Sequence, residues 1–251
     1  MTVLGLMSCR YAAADGLVLR DLRLTDASGS VTVRTLADPK HPIIVDEEIP
    51  LQEGDIVETG PRSSAELVID GESVLSLRSG TRVKAAKLDS ENTQFDVGQG
   101  LILAKVKPIA SPTQKFMIKL PTAIVAIRGT EFGADTAYGL SHIAVFDEGH
   151  IRVSGVWGHE HVELTPNQET RVPLSSVPHV PYRLLHFQVH RRLMPTLRRR
   201  LIYWKKNWKV IPIVQRRYMR ERFTDPHRKP LLQFRRAEPE NAQPVRRRRK
   251  S

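Results

Sequence analysis

From Leu17 to Val172 the chain breaks into short runs rich in Val, Ile, Leu and Thr, each closed by turn residues, and this pattern limits the fold more than any other feature. The runs include Leu17-Val18-Leu19, Ser30–Val33, DIVET at 55–59, AELVI at 65–69, SVLSLR at 73–78 and LILAKV at 101–106. KFMIKL at 115–120, AIVAI at 123–127, HIAVF at 142–146 and HIRVS at 150–154 follow. Branched and aromatic side chains suit a pleated surface, and turns about every 8–12 residues argue for a sandwich, barrel or rolled sheet. Asp70-Gly71 is the strongest hairpin signal, because a type I′ turn needs positive φ at both central residues. Gly54, Gly80, Gly100, Gly129 and Gly149 punctuate the rest, and no window here holds a helical period. The reading is an all-β domain over 17–172, a rolled sheet or sandwich of many short antiparallel strands. Before Gly54, Pro39, Pro42 and Pro50 break the pattern, leaving room for one or two strands that complete the same sheet.

Pro166, Pro173, Pro178 and Pro181 mark a boundary. Beyond it the period changes from two to between three and four. Phe187, His190, Met194, Leu197, Leu201, Trp204, Trp208 and Ile211 fall on one helical face, with Arg191, Arg192, Arg198, Arg199, Arg200, Lys205, Lys206 and Lys209 largely on the others. Pro195 is expected to kink or divide this helix, Pro212 to end it, and a shorter helix to run from Val214 to Phe223. Thus 173–223 reads as a Pro-bearing linker and basic amphipathic helices. Residues 224–251, polar and ending in RRRRK, read as a disordered basic tail.

Charge divides the chain in the same place. Residues 1–172 carry 17 Lys/Arg against 23 Asp/Glu, whereas 173–251 carry 22 against 4. An acidic body with a basic extension points the extension toward an anionic partner: lipid headgroups, an acidic protein face or nucleic acid. Tryptophans on the apolar stripe among lysines and arginines suit an anionic membrane surface, with Arg191, Arg192, Arg198, Arg199, Arg200, Trp204, Lys205, Lys206, Trp208 and Lys209 as the contact set. A second reading packs the stripe on the β-domain and leaves the basic face in water.

No stretch approaches the roughly 20 apolar residues of a membrane-spanning helix. Residues 1–16, with apolar Val3–Cys9 and Ala12–Ala14, read either as the end of an export signal or as a frayed terminus. Cys9 is the one cysteine, so no internal disulfide can form. The chemistry of an active site is not evident. His159-Glu160-His161 lacks a third metal ligand. His186 and His190 have zinc-protease spacing, but Phe187 stands where the catalytic Glu belongs. Gly98-Gln99-Gly100 sits between strands and cannot present a helix N-terminus to phosphate. No nucleophile elbow stands out, so no catalytic residue, metal or cofactor is assigned.

Several motifs, in order, carry a family resemblance. GDIVETG at 54–60 opens the set, AELVIDGESVLSLRSGTRV at 65–83 contributes a hairpin, and DVGQGLILAKV at 96–106 a glycine-bearing strand. PTAIVAIRGTEFG at 121–133 is the sharpest piece, and FDEGHIRVSG at 146–155 and PNQETRV at 166–172 close the set. Together they resemble the FecR-like domain family over 54–172. Its motif residues fall on Gly54, Asp70, Gly71, Pro121, Arg128, Gly129, Thr130, Phe132 and Gly149, read as structural. From the residues alone, Gly129 permits a bulge or positive φ, Thr130 can bond local backbone, and Arg128 can reach Asp147 or Glu148. The resemblance implies a non-enzymatic binding or signalling module of the bacterial cell envelope with a protein partner there. A cytoplasmic, nucleic-acid-associated β-scaffold is the alternative. The anti-sigma segment and membrane helix of the iron-signalling regulators have no counterpart before residue 54, which leaves the link to iron and sigma factors unsupported.

Overall fold

The computed structural model describes residues 18–158 and 160–225. The strands, in chain order, are β1 (Leu22–Ser28), β2 (Val31–Arg34), β3 (Ile43–Ile44), β4 (Ile49–Leu51), β5 (Ile56–Thr59) and β6 (Ser64–Ile69). Then come β7 (Ser73–Leu77), β8 (Arg82–Leu88), β9 (Asn92–Lys105), β10 (Lys115–Lys119), β11 (Ala123–Ile127) and β12 (Glu131–Ala137). β13 (Leu140–Val145), β14 (Ile151–Gly155), β15 (His161–Leu164), β16 (Gln168–Pro173) and β17 (Tyr182–Arg183) complete the set. Three helices follow: α1 (Gln188–Arg191), α2 (Met194–Asn207) and α3 (Ile213–Thr224).

The strands join into one continuous sheet folded into two facing layers. The first layer runs β3-β2-β5-β8-β9-β10-β11-β14-β15, and the second β4-β1-β6-β7-β9-β12-β13-β16-β17. The long β9 belongs to both. Its first half pairs with β8 and β10; its second half, from Gly100, pairs with β12 and β7. Every pairing is antiparallel except β9 with β10. Expectation and structure agree on the all-β class and the helical extension. They differ at β1, which runs over 22–28 where the marked run was 17–19, and at β8, the first half of β9, most of β12, β15 and the short β17, which the strand runs did not mark.

Burial explains why the layers differ. In the first layer Arg82, Lys84, Lys115 and Lys119 are exposed and alternate with buried Val83, Ala85, Phe116 and Ile118. Period two leaves one face in water and one in the core. In the second layer β7 is buried at every position, and β6 ends in three buried residues. Leu67, Leu75, Ile102 and Val145 join the core between the layers, whereas Val68, Val74, Leu103, Ala144 and Phe146 form a second core on the opposite face. That outer core includes Leu184, Phe187, Met194 and Leu197, so the helices are a third layer.

The RGT corner is a tight crossing. Gly129 has φ +85°, a region L side chains rarely adopt, and an added Cβ would stand 2.2 Å from Pro108 Cα. Thr130 Oγ1 donates to the His150 carbonyl at 3.0 Å, across the corner and not to local backbone. The expected Arg128 pairing does not form: Arg128 is exposed, and Asp147 bonds Arg191 and Arg198 while Glu148 pairs with Lys105. Those cations come from α1, α2 and β9, where partly buried geometry holds them against the carboxylates.

Candidate interaction site

The outer face of the second layer has an apolar floor, two aromatic seats and a set of carboxylates. The Asp70-Gly71 turn supplies one seat. Both residues have positive φ, +52° and +68°, and Glu72 N–H bonds the Ile69 carbonyl at 2.9 Å, as a type I′ turn requires. Gly71 lies directly under Trp208, where an added Cβ would approach the indole Cγ to 2.6 Å. Arg23 stacks over the same indole at 3.9 Å from its centre and donates to the Lys209 carbonyl at 2.6 Å. Gly133, in β12, makes the second seat. A Cβ there would meet the Phe187 ring at 2.4 Å, so only glycine leaves the hollow that Phe187 fills. Phe146 meets Phe187 edge-on at 6.1 Å.

The arm formed by α1, α2 and α3 is tied down from its first residue. Buried Glu169 accepts from His186 N–H at 2.9 Å and Phe187 N–H at 3.2 Å, satisfying donors that α1 leaves without an internal partner. Pro195 stands in the first turn of α2, where a residue without N–H is tolerated, and the helix is divided there as expected, α1 ending at Arg191 and α2 starting at Met194. Pro212 caps the start of α3. Met194 and Leu197 are buried, and Leu201, Trp204 and Trp208 pack on the outer core. Phe223, from α3, reaches the core between the layers. Of the two readings left open for the stripe, the structure shows the one in which it packs on the sheet.

The arm's arginines meet the body's carboxylates. Arg198 binds fully buried Glu131 through Nε and Nη2, both at 2.5 Å, and reaches Asp147 at 2.5 Å. Arg191 also bonds Asp147 and donates to Asn167 at 2.6 Å. Burial alone would raise the Asp147 pKa, but the Arg198 and Arg191 bonds outweigh it and hold it below the usual carboxylate range. Arg200 sits by Asp26 and, at 3.3 Å, Glu66. In α3, Arg220 bonds buried Asp55 at 2.5 and 3.1 Å, and Arg216 lies 3.6 Å from Asp21. An unpaired carboxylate at the Glu131 or Asp55 site would be costly, because a buried charge needs a partner.

The structure therefore divides the forecast contact set. Arg191, Arg198, Arg200, Trp204 and Trp208 are engaged with the sheet. Arg192, Arg199, Lys205, Lys206 and Lys209 are exposed, beside exposed Ile202, Tyr203 and Val210. Residues 1–17, His159 and 226–251 lie outside the described residues, and with them the export-signal reading, most of the segment read as a basic tail (224–251) and half the His159/His161 pair. Among the described residues no group of three or more His, Cys, Asp or Glu could hold a metal ion, and no helix is long and apolar enough to cross a membrane. His186 does sit at the domain junction, stacked on His142 at 4.3 Å and bonding Asp135 through Nε2 at 3.0 Å.

Most of the remaining motif positions lie inside the β-scaffold: Phe132 in the inner core, Gly54 in the turn before β5, Gly149 packed on the Gly129 carbonyl and Pro121 exposed between β10 and β11. Residues 55–152, which hold nearly all of them, match the family model described as FecR protein. This segment is similar to the FecR domain. Two crystal structures of a "putative anti-sigma factor" from Parabacteroides distasonis ATCC 8503 align at 15% identity and a TM-score of 0.46. The alignments cover 54% of this chain and 62% of theirs, so the chain spans less than two thirds of their length. No curated protein matches the chain. The FecR family is regulatory, not enzymatic, and its members are usually envelope-associated. The helical arm lies outside the FecR match.

Of the seat's carboxylates the sequence reading singled out only Asp147, with Arg128 as its partner; Glu66, Glu131 and Gly133 were not singled out. Their signal is there in hindsight. LVI at 67–69, LILA at 101–104 and IAVF at 143–146 are continuous apolar runs, not alternating ones, and a stretch apolar at every position is covered on both faces.

Proposed function

We propose that the chain is a regulatory binding module of the bacterial cell envelope, in which the FecR-like domain carries the protein-partner function and the arm presents a basic face to an anionic membrane surface. The observation that carries the second part is the outward face of α2. Arg199, Lys205 and Lys206 are exposed there with Ile202 and Tyr203, and Lys209 and Val210 extend the patch. Apolar and aromatic groups among cations are what an interfacial helix presents to headgroups. The tryptophans stay on the sheet in this reading; Tyr203 and Ile202 meet the lipid.

The test is sedimentation of the full chain with vesicles of neutral lipid and of neutral lipid mixed with phosphatidylglycerol, at low salt. Binding to the anionic vesicles alone is expected. Each Lys near such a surface contributes about 1 kcal/mol, so Lys205→Gln with Lys206→Gln should weaken binding by roughly 30-fold. Equal indifference to both vesicles overturns the membrane reading. Tight binding to oligonucleotides with no vesicle binding favours the nucleic-acid alternative.

A further inference from the structure

We propose that the outer face of the second layer is a receptor for a basic amphipathic helix of a partner protein, and that the chain's own arm is a resident stand-in for that helix. The proposal rests on the reading of the chain as a binding module and names the chemistry of its partner.

The seat is shaped for one kind of ligand. Its floor is Val68, Val74, Leu103 and Ala144, all at the outer core. Gly71 and Gly133 leave hollows that only flat aromatic rings fill in the structure. Glu131 and Asp147 stand at one place to take a guanidinium from a helix lying on the floor, and Glu66 stands at another. A helix with arginines on one flank and an aromatic ring for the Gly71 hollow, as Trp208 supplies, meets the floor and the carboxylates together, and a second ring just before the helix, as Phe187 supplies, fills the Gly133 hollow.

Three observations distinguish a seat with an exchangeable occupant from an ordinary core. First, the arm's helices lack start signals of their own. None of its helices has a side-chain N-cap bond or an acidic residue in the first turn, and α2 crowds Arg198, Arg199 and Arg200 together. Its helicity depends on the seat, as in segments that fold on binding. Second, the junction holds polar atoms without a protein partner: Glu66 Oε2, His142 Nδ1, Trp204 Nε1, Trp208 Nε1 and Arg216 Nε. Of these, Glu66 Oε2 and His142 Nδ1 belong to the seat and the other three to the arm; a ligand that met the first two and brought no unmet donors of its own would displace the arm at an advantage, because unmet buried groups are costly. Third, the arm lies outside residues 55–152, whereas β6, β7, β9, β12 and β13, which form the seat, lie within them.

The experiment uses a fluorescent peptide of residues 186–210, which includes Phe187, as the ligand in trans, with the full chain as receptor and anisotropy as the readout. In the wild-type chain the tethered arm competes at high effective concentration and the peptide should bind weakly. In the Trp204→Ala/Trp208→Ala chain it should bind at least tenfold more tightly, and adding Asp147→Lys should reverse that gain. Leu201→Glu serves as a second way to unseat the arm should the double variant fail to fold. No peptide binding to an arm-weakened chain that keeps its cooperative β-sheet melting overturns the proposal. A wild-type chain that dimerises with rising concentration and thereby excludes peptide also overturns it, naming a second copy's arm as the occupant. Either failure leaves vesicle binding, and so the reading above, untouched.

Discussion

Two glycines a few residues apart have opposite consequences. At Gly129 the backbone is in the left-handed region and the space for a Cβ is taken by Pro108 backbone, which cannot move without opening the corner. At Gly133 the φ is ordinary and the space is taken by the Phe187 ring, the far end of a side chain on the arm. Gly129→Val should therefore cost the whole domain about 3 kcal/mol or more, since conformational strain adds to overpacking. Gly133→Val should cost about 1–3 kcal/mol and act locally, ejecting Phe187 and loosening the arm while the sheet still melts cooperatively. Thermal melting by circular dichroism, with Trp emission reporting the arm, separates the two. Equal losses of sheet stability would contradict the assignment of Phe187 to the Gly133 hollow. The need for glycine at 129 was legible from its place after a β-run. The need at 133 was not, because it depends on a ring 54 positions away.

At the scale of elements, the junction of β13, β16 and α1 places three histidines together. His142 and His190 lie below the usual imidazole range, first because burial disfavours their charge and then because His186 adds its own. Asp135 and Glu169 oppose this and Arg171, Arg78 and Arg192 reinforce it. A released arm returns both histidines toward ordinary values, so release takes up protons. Docking is then full above about pH 6.5 and weakens as pH falls below it. Burial pushes Glu66 up to about 7, against Arg78, so as pH falls it also loses the charge that faces Arg200. The His142→Gln/His190→Gln chain isolates the first effect. It should lose less arm protection than wild type between pH 7.5 and 5.5, measured by hydrogen exchange of α2. Parallel pH profiles would contradict it. The helical period of the arm, and the role of Pro212 as a break, were legible from spacing alone. β8 was missed because RVKAAKL alternates basic residues with small ones, and β12 because EFGADTA mixes glycine and charge; both are held by pairing to β9, a tertiary effect that local propensity does not show.

At the scale of the molecule, the acidic body and basic extension in large part answer each other. Arg191, Arg198, Arg200, Arg216 and Arg220 take up carboxylates of the FecR-like domain and the strands around it. The charge division marked an anionic partner for the arm; much of that partner is the chain's own sheet, and the unspent cations face outward. Pairs near the surface are screened over roughly 10 Å at 0.1 M salt, whereas apolar burial of Met194 and Leu197 is not. Native-state hydrogen exchange of the α2 amides, Met194–Asn207, at low and high salt tests this account most directly. It predicts slow exchange at low salt that quickens severalfold at 0.5 M salt while β7 and β9 remain unchanged. Amides of α2 exchanging at free-peptide rates at low salt would show an arm that does not dock, and would contradict it.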